Sequence, residues 1–359
     1  MILTWYTLYV KDLISKRIKK AIEDKVFPGC VIGWFENGKY NLLPFGKFTY
    51  DENSKNVKED SIYDVASVTK SIPTTMSLLT FIDSGKVALE DKISKYIPEF
   101  KNKDEVKIRH LLTYTLDLEI PKTSELLDKS AEEIMSIILK AKLKSPPGTK
   151  HLYTNVSATL MGYVVEKVSG KKLPEFARDY FFGPLEMNKT TFYPLNTFSK
   201  EEIVPTEIVD WRGGLVQGKV HDESTYILQN GGYHFGAAGL FSTAGDLLKF
   251  TEMILNNGFL NGKRFLSERI IGEMGKDQLS FSDVHVGLGW ALNEPIRTGK
   301  YAPEIISKSG FTGCIVMINP KKHSSLVVIA NRTYPKRPSE VETIRGVRRD
   351  VADIIFAKT

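Results

Sequence analysis

The chain has 359 residues, of which 42% are hydrophobic and 26% are charged. The charged fraction is close to the ~25% typical of soluble globular proteins, so the composition excludes most non-globular classes. Lysine and arginine exceed aspartate and glutamate by only 49 − 43 = 6 residues, and the basic residues mostly alternate with acidic ones. A nucleic-acid-binding protein should concentrate such charge on a face or a tail, so we predict no nucleic-acid partner.

No apolar stretch approaches the ~20 residues needed to span a bilayer, so we expect no membrane partner. Residues 1–10 are apolar but lack a basic region and a small-residue cleavage site, which predicts a cytoplasmic protein. The two cysteines, Cys30 and Cys314, lie far apart, each within an apolar run. This pattern is typical of small buried residues rather than of a metal site or a disulfide scaffold. The sequence does not indicate an oligomeric state.

The N-terminal part predicts a helix followed by a hairpin. Residues 11–25 place apolar side chains at helical spacing, with lysines on the opposite face. Two short apolar runs follow at residues 30–34 and 40–45, separated by a segment that contains Asn37 and Gly38. An Asn-Gly pair between apolar runs is a strong hairpin signal.

The middle of the chain, by contrast, favours helices. Apolar residues at helical spacing predict helices over residues 76–82, 157–168 and 243–255, with Gly170 as a C-terminal cap of the second. The residues near 243 include serine, threonine and aspartate, which favour a helix start.

Strands return near the C-terminus. Residues 314–318 and 326–330 are apolar runs joined by a polar turn at 319–323, and residues 340–356 predict a closing helix.

This order of elements predicts an α+β fold with an antiparallel sheet flanked by helices. The sheet would be built from both ends of the chain, with a mostly helical domain inserted between them. A length of 359 residues suits such a division, because single cores tend to stop growing beyond ~250–300 residues. We place the sheet domain at residues 1–66 and 235–359, and the helical insertion at residues 67–234.

The sharpest local signal is a Ser-x-x-Lys pattern formed by Ser67 and Lys70, just before a helical run. Residues three apart on a helix share a face, so the lysine amine can reach the serine hydroxyl. If Ser67 opens the helix, its backbone N–H is unpaired and can stabilise negative charge. Pro73 follows within the same run, where it would remove a hydrogen bond to the carbonyl of Thr69 and cost ~3 kcal/mol unless the helix bends.

Alone, Ser-x-x-Lys is a weak signal. It occurs a second time, from Ser169 to Lys172, where it indicates only the end of a helix. Two further segments strengthen the first occurrence. Tyr153 and Asn155 form a Tyr-x-Asn pattern on a loop before a helix, and a loop tyrosine can carry a proton while an asparagine can bind a carbonyl group.

The second of these segments lies at the edge of a predicted strand. Lys308, Ser309 and Gly310 supply a cation, a hydroxyl and a flexible backbone immediately before the strand at 314–318. A substrate could lie alongside such an edge. Taken singly, Tyr153 is more typical of a packing residue and Lys308 of a surface charge, so the argument depends on their combination.

Histidine and metal chemistry offer a competing scheme. The chain has six histidines but no HExxH pattern and no paired spacing typical of zinc. It also lacks the Gly-x-Ser-x-Gly elbow of α/β-hydrolases. His221, Asp222 and His234 lie in a predicted loop region, where hydrogen bonding within the loop is a more common role than catalysis. We therefore expect neither a metal nor a cofactor.

The three patterns, in this order, resemble the serine β-lactamase and penicillin-binding-protein superfamily. The Tyr-x-Asn form is similar to class C β-lactamases and the related esterase-type hydrolases. The resemblance extends over roughly residues 10–356, and its fold would be that of β-lactamases and transpeptidases. Further similar segments lie at residues 85–100, 106–113, 239–247, 287–290 and 327–332.

The resemblance implies roles for the reacting groups. Ser67 would attack the carbonyl carbon and become acylated, while Lys70 and Tyr153 would move the proton and Tyr153 would activate water in deacylation. The N–H groups of Ser67 and Phe311 would form the oxyanion hole.

It also implies a substrate-binding set. Asn155 would bind the amide or ester group of the substrate. Lys308 would hold a carboxylate or lower the pKa of Tyr153, with Ser309 and Gly310 beside it at the strand edge.

We therefore expect a serine hydrolase that acts through an acyl-enzyme on Ser67, on small carboxylic esters and with possible β-lactam hydrolysis. A β-lactamase and a D-amino-acid peptidase or amidase remain alternatives of the same chemical class. A penicillin-binding sensor that is acylated without turnover is an alternative of another class. Tyr153 argues against the sensor, because a sensor does not need groups for deacylation.

Overall fold

An antiparallel sheet built from both ends of the chain forms the centre of the fold. A computed structural model describes residues 2–102 and 104–357. In chain order the strands are β1 (Gly29–Glu36), β2 (Lys39–Gly46), β3 (Tyr63–Asp64), β4 (Glu207–Val209), β5 (Gly214–Val216), β6 (Phe241–Ser242), β7 (Phe259–Leu260), β8 (Lys263–Arg264), β9 (His285–Val286), β10 (Ala291–Leu292), β11 (Ile306–Ser309), β12 (Ile315–Asn319) and β13 (Ser324–Ala330). The main sheet of the described residues has the order β2-β1-β13-β12-β11-β10-β9.

Helices cover the sheet and fill the middle of the chain. They are α1 (Ile2–Glu23), α2 (Met76–Asp83), α3 (Ile108–Leu112), α4 (Ala131–Lys140), α5 (Asn155–Ser169), α6 (Leu173–Ala177), α7 (Glu223–Asn230), α8 (Ala244–Leu255), α9 (Glu268–Met274), α10 (Pro295–Thr298) and α11 (Glu342–Phe356). The remaining helical segments are short 3₁₀ turns and two π-helical turns. The α+β fold with a helix-flanked antiparallel sheet is confirmed.

Each end of the chain contributes strands to neighbouring positions of the sheet. β1 pairs with β2 on one side and with β13 on the other, and both pairings are antiparallel. The turn between β1 and β2 consists of Asn37 and Gly38, which both have positive φ angles (50° and 69°). Positive φ angles at both central residues match the twist of a two-residue hairpin turn, and this is why an Asn-Gly pair was informative.

The central strands are buried on both faces because helices cover each face. β1, β12 and β13 are buried along their whole length. On one face α1 and α11 pack together over the sheet, with Ile14 and Val347 among the fully buried side chains. On the other face α8 packs against β1 and β13. This two-sided burial explains the nearly continuous apolar runs of these strands.

The predicted elements are present with shifted ends. The first helix begins at Ile2 rather than residue 11, and Val10 extends the buried stripe that Ile14 and Ile18 form at a spacing of four residues. The closing helix begins at Glu342 rather than residue 340. Residues 67–234 are mainly helical but also contain β4 and β5. The division into a domain of residues 1–66 and 235–359 and an inserted domain of residues 67–234 remains a prediction.

The helix that follows Ser67 bends next to Pro73. Ile72 has a non-helical backbone (φ −113°, ψ 110°) within the π-helical turn Lys70–Thr75, and α2 continues after it. The hydroxyl of Thr74 donates a hydrogen bond of 3.0 Å to the carbonyl of Thr69. That carbonyl therefore keeps a partner although proline has no N–H to offer it.

Both cysteines are free and buried, as predicted. Cys30 lies in β1 and Cys314 immediately precedes β12. None of the helices in the described ranges has the length and hydrophobicity needed to cross a membrane.

Candidate active site

Ser67 lies in a tight turn between the short strand β3 and the bent helix. The turn is closed by hydrogen bonds from the N–H of Val68 to the carbonyl of Val65 and from the N–H of Lys70 to the carbonyl of Ser67, both 3.1 Å. Ala66 adopts a positive φ of 48°, and its N–H donates to Oδ1 of Asp64 at 2.8 Å. The turn therefore presents Ser67 at the start of the helix.

Lys70 is fully buried beside Ser67. Its Nζ donates hydrogen bonds to Ser67 Oγ at 2.9 Å and to the carbonyl of Ala237 at 2.6 Å. A lysine amine held this close to a serine hydroxyl can exchange a proton with it. The Ser-x-x-Lys spacing thus brings the amine and the hydroxyl within hydrogen-bonding distance.

Tyr153 and Lys308 complete the cluster from two other elements. Tyr153 lies on the loop before α5, and Lys308 lies on β11. The Nζ atom of Lys308 is 4.4 Å from the centre of the Tyr153 ring, and that of Lys70 is 5.4 Å from it. Lys308 also approaches the hydroxyl of Tyr114, at 3.4 Å.

The two ammonium groups change the acidity of the tyrosine. Burial raises the pKa of Tyr153, but the charges of Lys308 and Lys70 outweigh burial and lower this pKa to about 8. Burial also lowers the pKa of Lys308 below its ordinary value. The neighbouring Tyr114 has a pKa well above its ordinary value because it is buried. Of the two tyrosines, Tyr153 is therefore the one suited to act as a base.

The segment after β11 approaches the Ser67 turn closely. A Cβ atom added to Gly310 would lie only 2.4 Å from the carbonyl oxygen of Val65, so this position has no space for a larger residue. Gly310 donates to the carbonyl of Cys314 at 2.6 Å, which holds the loop that carries Phe311. Within the described residues, the N–H groups of Ser67 and Phe311 form no hydrogen bond.

The active-site cavity has a volume of about 420 Å³, and Ser67, Tyr153 and Lys308 line it together with Ser309, Gly310 and Phe311. Asn155 is placed differently. It begins α5, its Nδ2 donates to Oδ2 of Asp222 at 2.9 Å, and it lines a neighbouring cavity instead. Six of the predicted site residues thus line one cavity, whereas Lys70 and Asn155 are not among the residues that line it.

The cavity also contains cationic residues that the sequence patterns did not predict. Arg332, Arg345 and Arg348 line the cavity. Within the described residues, neither Arg332 nor Arg348 forms an ion pair, and Arg348 Nε has no hydrogen-bond partner. Burial lowers the pKa of Arg348 to about 9. Arg345 and Arg348 are three residues apart on α11 and share a helix face, which is the sequence feature that could have indicated a joint role.

His221, Asp222 and His234, the residues of the competing scheme, form hydrogen bonds and ring contacts with neighbouring residues. His221 is buried, and its Nε2 lies 2.7 Å from Oε2 of Glu207. Asp222 caps α7 by accepting from the N–H of Thr225. His234 stacks edge-on against Tyr193 and does not line the active-site cavity. No group of three or more His, Cys, Asp or Glu side chains in residues 2–102 and 104–357 is arranged to hold a metal ion.

Comparison with known proteins agrees with the resemblance seen in the sequence. The Beta-lactamase family model matches residues 14–348. A putative D-alanyl-D-alanine carboxypeptidase of Salmonella agona (strain SL483) is 27% identical over 307 residues, which cover 77% of this chain and 70% of that protein.

Solved structures share the fold over almost the whole chain. A class C beta-lactamase superposes with a TM-score of 0.75 at 20% identity, covering 96% of this chain and 97% of its own. EstCE1, a hydrolase with promiscuous acyltransferase activity, has a TM-score of 0.76 at 18% identity and covers 99% of this chain and all of its own (100%). Because the family model covers most of the chain and the fold agrees with it, this protein belongs to the beta-lactamase family and is a serine hydrolase.

Proposed function

We propose that the protein hydrolyses small carboxylic esters through an acyl-enzyme on Ser67. The observation that carries this proposal is the 2.9 Å hydrogen bond between the buried Lys70 amine and Ser67 Oγ, next to a tyrosine of lowered pKa. A nucleophile beside a base, with a second base within reach, is the arrangement that covalent catalysis requires.

In the first half-reaction Ser67 Oγ forms a bond to the carbonyl carbon, and the bond to the leaving alkoxide breaks. The Tyr153 phenolate accepts the serine proton through Lys70, whose ammonium group passes one proton to Tyr153 as it takes the proton of Ser67 Oγ, and the same path returns a proton to the departing alcohol. In the second half-reaction Tyr153 takes a proton from water, whose oxygen attacks the acyl carbon. The bond from that carbon to Ser67 Oγ then breaks, and Tyr153 returns the proton to Oγ as the carboxylic acid leaves. The free N–H groups of Ser67 and Phe311 support the negative oxygen in both steps.

The remaining predicted residues serve substrate binding in this proposal. Lys308 attracts a carboxylate and lowers the pKa of Tyr153, and Ser309 and Gly310 line the edge along which the substrate lies. Asn155 borders the acyl side of the substrate, where its amide is held by Asp222. A cytoplasmic location, which the sequence predicts, belongs to the same proposal.

Hydrolysis of p-nitrophenyl acetate by wild type, Ser67→Ala and Ser169→Ala tests the proposal. Ser169 is a matched control because it begins the second Ser-x-x-Lys pattern, at the C-terminal end of α5. We expect Ser67→Ala to lose at least about a thousandfold in kcat, as other serine hydrolases do without their nucleophile. Ser169→Ala should keep wild-type activity. Equal rates for wild type and Ser67→Ala would overturn the assignment of Ser67.

The arginines of the cavity favour a second candidate, a D-amino-acid peptidase or a β-lactamase. Arg332 and Arg348 carry charges that are unpaired within the described residues, next to Lys308, so the cavity attracts a substrate with a carboxylate on its leaving side. Nitrocefin turnover and release of D-alanine from D-alanyl-D-alanine peptides distinguish these activities. Either activity exceeding ester turnover in kcat/KM would replace the ester proposal by the corresponding alternative.

A further inference from the structure

Arg348 is a buried cation on α11, and it is hydrogen-bonded to the loop that carries Phe311. Only 4% of its surface is exposed. The other buried side chains of this helix are apolar: Ile344, Val347, Val351, Ala352, Ile355 and Phe356. Its neighbour Arg349 pairs with Glu342, whereas Arg348 forms no ion pair within the described residues. Because a buried charge without a carboxylate partner costs folding free energy, packing alone would favour an apolar side chain at this position.

The guanidinium of Arg348 binds two carbonyl groups of one loop. Its Nη2 atom donates hydrogen bonds to the carbonyl of Gly310 at 3.0 Å and to that of Cys314 at 2.9 Å. The carbonyl of Cys314 also accepts from the N–H of Gly310 at 2.6 Å, and the N–H of Gly313 donates to the carbonyl of Gly310 at 3.3 Å. Arg348 therefore supplies the shorter of the two hydrogen bonds to the Gly310 carbonyl, and the charged one.

The carbonyl of Gly310 and the N–H of Phe311 belong to the same peptide unit. In a planar trans peptide these two groups point in opposite directions, so a bond that fixes the carbonyl also fixes the direction of the N–H. Gly310 and Phe311 both line the active-site cavity, and the N–H of Phe311 forms no hydrogen bond within the described residues. A cation on the carbonyl also polarises the peptide unit, which makes its N–H a stronger donor. Arg348 thus acts on both the direction and the strength of this donor.

We propose that Arg348 is a positioning residue of the oxyanion hole, where it aims the N–H of Phe311 at the carbonyl oxygen of the substrate. This inference rests on the proposed function, since the N–H of Phe311 has an oxyanion to bind only when Ser67 attacks a carbonyl carbon. In this role Arg348 touches no reacting atom. Its effect is greatest in the transition state, because the oxygen is most negative there.

Hydrolysis of p-nitrophenyl acetate by Arg348→Met tests this role, because this ester has no carboxylate that an arginine could bind. We expect kcat to fall by about 10- to 100-fold and KM to change by less than about twofold, since the donor is misdirected rather than removed. The inhibition constant of phenylboronic acid, which forms a tetrahedral adduct with a reactive serine, should rise by a similar factor. Wild-type kcat in Arg348→Met would overturn the proposal, and so would a rise in KM alone.

Two further variants separate positioning from a general effect on the helix. Arg348→Lys keeps a positive charge that can reach one carbonyl, so its kcat should lie between those of the wild type and Arg348→Met. Arg349→Met is the matched control, because Arg349 binds the carbonyl of Ile296 and does not line the active-site cavity. It should keep wild-type kcat. A loss of kcat in Arg349→Met as large as that in Arg348→Met would contradict the proposal.

Urea unfolding establishes that each variant is folded under the assay conditions. If Arg348→Met does not fold, Arg348→Gln takes its place, since a glutamine amide is neutral and keeps one donor for the loop. We expect a loss of kcat in Arg348→Gln in the same direction, with little change in KM. Wild-type kcat in Arg348→Gln would then overturn the proposal.

These outcomes are distinct from those that test the proposed function. Hydrolysis of p-nitrophenyl acetate that is lost in Ser67→Ala supports the acyl-enzyme whatever the Arg348 variants do. Wild-type kcat in Arg348→Met together with that loss rejects only the positioning role, whereas hydrolysis that survives Ser67→Ala rejects the proposed function itself.

Discussion

At Tyr153, two lysines determine which protonation state a single phenol adopts. Lys308 and Lys70 approach the ring from different elements, and their charges stabilise the phenolate more than burial destabilises it. A phenolate near neutral pH can take a proton from serine or water, and an ordinary tyrosine cannot. The catalytic proposal is thus an electrostatic one, and it has a measurable pH signature.

Replacing Lys308 should shift the pH at which kcat/KM rises. Because the base is the phenolate, kcat/KM of the wild type should rise with pH through about 8, the pKa of Tyr153. Lys308→Ala removes the charge that lowers this pKa most, so the rising limb should move to higher pH. The measurement is kcat/KM for p-nitrophenyl acetate between pH 6 and 10.

The control for this profile is Lys308→Arg, which keeps a positive charge at β11. It should retain a limb closer to that of the wild type, even if its activity is lower because the planar guanidinium fits the site less well. A limb that stays in place in Lys308→Ala would mean that Lys308 does not tune Tyr153.

The substitution Gly310→Ala tests the proposed oxyanion hole without changing a charged group. In Gly310→Ala the new methyl group would meet the Val65 carbonyl at 2.4 Å, so the loop that carries Phe311 must shift. Removal of one oxyanion donor typically lowers kcat by a factor of about 10²–10³, and we expect a loss of that order with a smaller change in KM. Gly272→Ala in α9 is the control because its Cβ meets no atom within 4 Å. Wild-type kcat in Gly310→Ala would contradict this geometry.

Among the elements, α8 packs against the central strands β1 and β13 on the face of the sheet opposite to α1 and α11. It begins after Thr243, whose hydroxyl accepts a hydrogen bond from the N–H of Asp246. Thr243→Ala leaves that N–H without its cap and should lower the free energy of unfolding by about 1 kcal/mol. Thr243→Ser retains a capping hydroxyl and should lose much less. Urea unfolding of the three proteins compares these values, and equal stability of Thr243→Ala and wild type would contradict the capping role.

Elements were predictable where the apolar pattern is long. α5 repeats its apolar spacing over several turns and ends at Gly170, which has the left-handed φ of 69° that a glycine cap needs. β9 and β10 have two residues each, so they have too few positions to show an alternation. β10 pairs with β11 and β9 pairs with β10, and such tertiary pairings leave no local pattern in the sequence.

At the scale of the whole molecule, the part of the site that could be predicted rests on local sequence spacing, and the rest depends on tertiary packing. Ser67 and Lys70 are three residues apart, so helix geometry alone brings them together. Arg348 reaches the cavity from a helix near the other end of the chain, where it donates hydrogen bonds to the carbonyls of Gly310 and Cys314. The cavity that Asn155 lines likewise depends on how α4, α5, α7 and the loop after α3 pack, and the sequence does not encode that packing locally.

One buried ionic cluster connects distant parts of the chain. Glu207 of β4 accepts hydrogen bonds from Arg337, at 2.9 Å from Nη2, and lies 2.7 Å from Nε2 of His221. Arg337 follows β13, and His221 precedes α7. The ring of His221 also stacks on Phe311, with 6.0 Å between the ring centres. The cluster thus links residues 207–221 and the C-terminal segment next to the loop that carries Phe311.

The stability of the molecule in acid should depend on this cluster. Burial raises the pKa of Glu207, but hydrogen bonds from His221 and Arg337 outweigh burial and lower this pKa to about 2. A carboxylate whose folded pKa is below its unfolded value of about 4.3 stabilises the fold above that value, and this stability disappears as the pH falls toward 2. Glu207→Gln should lower the free energy of unfolding at pH 7 by about 1.5–3 kcal/mol, because it removes the charge of the acceptor for Arg337, which keeps its ion pair with Glu223. It should also flatten the loss of stability between pH 4.3 and 2, measured by urea unfolding, whereas Glu59→Gln on the surface should follow the wild type. If Glu207→Gln and wild type lose stability in parallel over this range, the cluster does not control acid unfolding.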